Sequence, residues 1–253
     1  MTGILEAAGL SAVELTMTMA VVLIAGIVRG FSGFGMSAII VLALSMIMAP
    51  SQVVPVAMLL EIVASLRMLP GTWRDVNWRL AGWLLAGSAV GTPIGAWLLL
   101  HLPVPVMRLV LSVFVLCVCL VLWRGFRLKT HPGAHWGLAV GVFSGTANGA
   151  ASFGGQPNAL FLLSAPIAAA SVRATLIFIA LVTDIYGSTV YRMNGLLTTE
   201  VLWKVGLFLI PMVLGIAIGQ RGFSTSRPET YRRIAILLLT SLAVAGLIRT
   251  LLG

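Results

Sequence analysis

Apolar residues run through this chain in long blocks, broken by short clusters of charge and by two stretches rich in glycine. A membrane helix needs about twenty apolar residues to cross a hydrocarbon core of ~30 Å. Six blocks have that length: Ser51 to Arg67, Leu80 to His101, Pro105 to Trp123, Ile167 to Tyr186, Val201 to Gly219 and Ile234 to Leu252. Two others do not fit. Met17 to Pro50 is 34 residues, about 50 Å as one helix, and Arg29-Gly30-Phe31-Ser32-Gly33-Phe34-Gly35 interrupts it. Trp136 to Pro166 is 31 residues, interrupted by a run from Gly145 that carries Asn148, Gly154, Gly155, Gln156, Pro157 and Asn158. Each predicts a hairpin of two short helices, each too short to be a span of its own, around a polar, glycine-rich tip.

The order broken region, span, span, span occurs twice and predicts an internal repeat. Ala49-Pro50 and Ala165-Pro166 end the two broken regions, Gly91-x-x-x-Gly95 matches Gly215-x-x-x-Gly219, and Arg108 matches Arg232. Two registers compete at the tips. One aligns Gly26 and Gly30 with Gly141 and Gly145; the other aligns Phe31-Ser32-Gly33 with Phe143-Ser144-Gly145. The expected organisation is an N-terminal segment 1–16, a membrane repeat 17–123, a basic linker 124–135 and a second repeat 136–253.

Composition agrees with a helical membrane protein. Hydrophobic residues make up 59% of the chain and charged residues 9%, where soluble domains carry about 25% charge. The strand alternation of a membrane β-barrel is absent. A net charge of +9 does not call for nucleic acid, because the charges sit in loops between the apolar blocks. The first sixteen residues contain Glu6 and Glu14 and no Lys or Arg, unlike a signal peptide. Cys117 and Cys119 share one apolar block, two positions apart, and read as helix filler.

The loops also orient the chain. Arg67, Arg74, Arg79; Arg124, Arg127, Lys129; and Arg221, Arg227, Arg232, Arg233 fall on one side, and Arg108, Arg192, Lys204 and Arg249 on the other. The positive-inside rule makes the first side cytoplasmic. The fold expected is all-α, polytopic, with two inverted repeats, an arrangement many secondary transporters use.

Broken backbone at membrane depth is tolerated where protein or a wet cavity satisfies its N–H and C=O groups. Two hairpins entering from opposite faces bring their tips together, and short helices aim positive N-termini there, a setting for an anion. The binding candidates are Ser32, Gly33, Gly35, Asn148, Gly154, Gly155, Gln156, Asn158 and Arg173. Close helix packing alone also explains glycines, although it leaves the amides without a reason. Arg173 is a charge within a membrane span, which is functional or paired by default; snorkelling or a pair with Glu61 is the structural alternative. Glu61 and Arg29 are candidates for charge pairing or proton coupling, and Asp184, placed near the end of its span, reads as structural.

With these features the chain resembles the TauE/SafE permease family, the sulfite exporters. The likeness rests on the glycine-rich tips, the four-helix repeat, Phe153-Gly-Gly-Gln-Pro157 and the following Arg173-Ala-Thr175. Gly33-Phe34-Gly35 is a thinner glycine run than is usual there, and Ala57-Met58-Leu59 replaces an Ala-Thr-Ser-like stretch. The resemblance implies movement of small sulfur-containing or organic anions, such as sulfite, sulfonates or sulfoacetate, across a bacterial inner membrane, usually outward.

A proton or the membrane potential is the expected driving force, since no nucleotide motif is present; no cofactor or metal site is expected either. The rival readings are a membrane assembly subunit and an intramembrane serine hydrolase using Ser32 or Ser144. A serine nucleophile needs a base within reach, and His101, His131 and His135 all lie in loops or at span ends. Gly91-x-x-x-Gly95 and Gly215-x-x-x-Gly219 serve either packing within the chain or a homodimer.

Overall fold

The computed structural model describes residues 11–45, 47–103 and 133–225, with residues 105, 106, 109, 113, 237 and 244. Among them are eight α-helices and no strand: α1 Ala12–Ser32, α2 Met36–Leu44, α3 Pro50–Met68, α4 Trp78–His101, α5 Ala134–Ala151, α6 Gly155–Ser164, α7 Ala169–Met193 and α8 Thr199–Thr225. Five of these, α1, α3, α4, α7 and α8, are long and apolar enough to cross a membrane. This is an all-helical, multi-pass membrane protein. Apart from those six positions, the expected spans Pro105 to Trp123 and Ile234 to Leu252, with Cys117, Cys119, Arg108, Arg232 and most of the basic linker, lie outside the described residues.

Both broken regions are helix pairs, but unequal ones. The first helices run 21 and 18 residues, the second only 9 and 10. The expectation of two short arms is therefore corrected for α1, which is span-length and starts at Ala12. Its start is set by a capping box, in which Ser11 and Glu14 exchange side-chain and backbone hydrogen bonds and satisfy two orphan donors. α7 also outruns its apolar block, reaching Met193 rather than Tyr186. Ser188 and Thr189 donate to the Ile185 carbonyl at 2.8 and 2.9 Å, so polar residues continue the helix at no cost in unmet hydrogen bonds.

Glycine decides how the helices assemble. A methyl group at Gly91 would overlap the Val142 carbonyl, and one at Gly95 the Thr146 carbonyl, so α4 and α5 pack backbone to backbone. Gly215 meets the Leu23 carbonyl and Gly219 the Ile27 carbonyl, which joins α8 to α1 in the same way. Without water to expel, contact at this range supplies the association energy, and any side chain would remove it. Both glycine pairs are thus used within the chain, each tying the first helix of one half to the third element of the other.

The seams also fix direction. Along α4 and α5 the contacts advance together, as they do along α1 and α8, so each pair is parallel. α7 follows α4: Asn77 N–H donates to Thr175 Oγ1 at 2.9 Å near one end, and Gly187 lies beside Thr92 further along. The outer faces stay apolar. Val90, Ile94 and Trp97 on α4 and Ile210, Leu214 and Ile218 on α8 are exposed, on the side that lipid covers.

The contacts select a register for the tips that neither sequence alignment contained. Gly91 and Gly215 are surrounded by Val142 and Thr146 and by Leu23 and Ile27 respectively, so the hairpins correspond at an offset of 119. Gly26 then matches Gly145, Arg29 matches Asn148, and Gly33 matches Ser152. The last pair carries independent support, because each is the left-handed C-cap of its helix, at φ +80° and +58°. Neither of the two competing sequence alignments has this offset, because repeated glycines look alike while helix contacts do not.

Candidate functional site

The two tips touch. Phe34 of the first packs on Gly155 of the second, where an added Cβ would sit 3.5 Å from the Phe34 Cβ. Beside this contact lies a polar cavity lined by Arg29, Gly35, Ser37, Glu61, Asn148, Ser152, Gly154, Gly155, Asn158, Thr183 and Asp184, among others. Its volume is about 10 Å³, room for one water at most. The tips are shut upon each other.

On the first tip the charges are already matched. Arg29 Nη2 lies 3.0 Å from Glu61 Oε2, joined by charge rather than by a directional hydrogen bond. The same nitrogen donates to Ser65 Oγ at 2.7 Å, and Nη1 donates to the Gly33 carbonyl. Glu61 Oε1 accepts the Ser37 N–H at 3.1 Å. The positive N-terminus of α2 therefore has an anion already, the protein's own carboxylate.

Ser32 shapes the turn. Its Oγ donates to the carbonyls of Val28 and Phe34 at 2.7 and 2.5 Å, and Gly33 and Gly35 take left-handed φ values of +80° and +91° that an L side chain resists. For the serine hydrolase reading, His101 and His135 are exposed and His131 lies outside the described residues. Ser144 lies in the α4–α5 seam, 3.4 Å from Ser88 Oγ, and His101 is an exposed residue bonded to the Trp97 carbonyl.

The second tip differs in chemistry. Asn148 Nδ2 donates to Asp184 Oδ1 at 2.9 Å, and its Oδ1 accepts the Gly154 N–H at 3.3 Å. Gln156, in the first turn of α6, is fully buried, yet neither polar atom of its side chain has a hydrogen-bond partner. Asn158 Oδ1 and Ser152 Oγ are likewise unpartnered. Each such group costs about 1–3 kcal/mol when left unmet.

Arg173 is placed elsewhere. Its Nη2 donates to the Gly30 carbonyl at 2.8 Å, its guanidinium lies 4.4 Å from the Phe223 ring centre, and its Cγ is against Gly33. It does not line the cavity. A cation at the C-terminal end of α1 meets the negative end of the helix dipole. Thr175, two residues on, holds the start of α4 through Asn77. Sequence reasoning passed over Ser37, Ser65 and Ser152, whose hydroxyls and N–H groups carry no motif. It also set Asp184 near a span end, where the structure puts it inside α7 and 2% exposed.

Residues 18–246 match the family described as sulfite exporter TauE/SafE. The chain belongs to that family. It is a membrane transporter of the TauE/SafE type, and members are permeases rather than enzymes. No curated protein and no solved structure matches the chain.

Proposed function

We propose that this TauE/SafE protein is a secondary exporter of a small sulfur-containing or organic anion, such as sulfite, a sulfonate or sulfoacetate, bound where the hairpin tips meet. The observation that carries this reading is the buried side-chain amide of Gln156 in the first turn of α6, without a hydrogen-bond partner at either polar atom. Gln156 Nε2 is an unmet donor at the positive end of that helix, and among the described residues no carboxylate accepts a backbone N–H of its first turn, whereas Glu61 accepts the Ser37 N–H on α2. Asn148, Gly154, Gly155 and Asn158 line the cavity with Gly35 and make the binding set together with Gln156, which is buried next to Gly155 in the chain but does not line the closed cavity. Ser32, Gly33, Arg29 and Arg173 keep the first tip in shape.

A cavity of about 10 Å³ admits no sulfonate, so binding requires the tips to separate. The helix directions support two halves inverted in the membrane: α1 runs with α8, α4 runs with α5 and α7, and the short link after α7 turns the chain back. Movement of one half against the other then exposes the junction to each face in turn. The Arg-rich loop from Arg67 to Arg79 supports a cytoplasmic position for that side, in a bacterial inner membrane.

Counterflow into proteoliposomes tests the reading. Vesicles loaded with sulfite or methanesulfonate are expected to accumulate the labelled anion, and Asn158→Leu to reduce the rate at least tenfold. Vesicles that exchange neither these anions nor sulfoacetate would sink it.

A further inference from the structure

The charges around the junction do not balance. Arg29, Glu61 and Asp184 are the charged side chains lining the cavity, and all are at most 2% exposed. Arg29 is committed to Glu61 at 3.0 Å. Asp184 has a neutral amide instead, Asn148 Nδ2 at 2.9 Å, and among the described residues no cation lies within salt-bridge distance of it. In the register set by the seams, Asn148 stands where the first half has Arg29. Both halves thus present an acid to the corresponding residue of a broken helix, and only one acid has a counter-cation.

The other groups facing Asp184 do not supply one. From α3 comes Glu61, a like charge; from α1 comes Arg29, already paired; from α6 comes Asn158. On its own helix, the Tyr191 hydroxyl donates to the Gly149 carbonyl at 2.6 Å, and Arg173 is engaged at Gly30. With both carboxyls ionised the cluster carries one net negative charge, and an arriving anion adds at least another in a site without bulk water. A proton on the acid that lacks a cation removes that conflict.

We propose that Asp184 takes up one proton together with each anion, so that proton and anion occupy the junction jointly. The proposal rests on the anion site described above and assigns the coupling to Asp184 rather than Glu61, which is held by Arg29 and the Ser37 N–H. The balance is simple: a carboxylate and a proton give the neutral carboxylic acid, which still accepts the Asn148 amide through its carbonyl oxygen and turns a hydroxyl toward the anion. A dianion moved with its proton still carries one negative charge, which the membrane potential drives outward; a monoanion such as methanesulfonate moves with its proton without net charge, down its own gradient.

Calorimetric titration of the full chain in detergent decides this, with methanesulfonate as probe because its charge is fixed from pH 5.5 to 8.5. Repeating the titration in buffers of different ionisation enthalpy counts the protons. The wild type is expected to take up one proton per anion at the alkaline end, where affinity falls about tenfold per pH unit by linkage. Asp184→Asn should bind with no uptake and a flat pH profile, and Asp184→Glu should keep the uptake with a displaced profile. If Asp184→Asn does not fold, the wild-type count and the Asp184→Glu profile carry the test.

Wild-type binding without proton uptake, or undiminished uptake in Asp184→Asn, overturns the assignment while leaving the anion site in place. Absence of methanesulfonate and sulfite binding at every pH overturns the anion site itself.

Discussion

Arg29 and Glu61 lie 3.0 Å apart with side chains 1% and 3% exposed, and through them the first tip is locked to α3. Removing one partner leaves an uncompensated charge in the bilayer-buried interior, which costs about 3–5 kcal/mol, whereas replacing both with apolar residues of similar size is often near neutral. Arg29→Met and Glu61→Met should each lower the melting temperature sharply in detergent. The double variant should recover most of that loss and still fail to transport. A double variant as unstable as either single one would show that the pair is not what holds the tip.

Gln156 makes the opposite forecast. Both its polar atoms are buried without a partner, so the folded protein gains when they are replaced by apolar ones. Gln156→Leu should leave the melting temperature unchanged or raise it, while anion counterflow falls at least tenfold. Stability lost together with transport would mean that the amide has a structural partner in solution and no ligand role.

The caps of α1 and α5 test the register. Ser152 sits at φ +58° where its counterpart is Gly33 at φ +80°, and a left-handed non-glycine residue costs roughly 1–2 kcal/mol. Ser152→Gly should therefore stabilise the protein by about that amount in a thermal-shift measurement. Gly33→Ala adds strain and presses on Arg173 Cγ, where a Cβ would stand 2.8 Å away, so it should lose both stability and transport. Equal effects from the two changes would undo the pairing of Gly33 with Ser152.

Hydropathy alone exposed α3, α4 and α8, because lipid demands an unbroken apolar stretch and little else is free to vary. The two tips were legible for the same reason in reverse: glycine and amides have no place in an ordinary span. What escaped was whatever depends on contact across the chain. Repeated glycines allow several registers, and only the seams with Gly91 and Gly215 choose among them. Arg173 was visible as a charge in apolar sequence, but its partner is the Gly30 carbonyl, and a backbone acceptor leaves no trace in residue types. Asp184 was set aside because the polar residues after Tyr186 resembled a span end. In the structure their hydroxyls fold back on the helix, which carries the carboxylate into the interior.

Direction across the membrane follows from helices that were oriented by contact alone. Asp75 lies in the exposed link between α3 and α4, and Asn194 in the exposed link between α7 and α8. α4 and α7 run the same way, with Asn77 beside Thr175. The link before α4 and the link after α7 must therefore lie on opposite sides of the membrane, and the proposed orientation, from the Arg67 to Arg79 charges, has the first inside. With Cys117 and Cys119 changed to serine, Asp75→Cys should resist a membrane-impermeant maleimide in intact cells and react in inside-out vesicles. Asn194→Cys should do the reverse. Labelling of both positions from the same side would break the parallel arrangement of α4 and α7, and with it the proposed inversion of the two halves and the proposed alternating exposure of the junction.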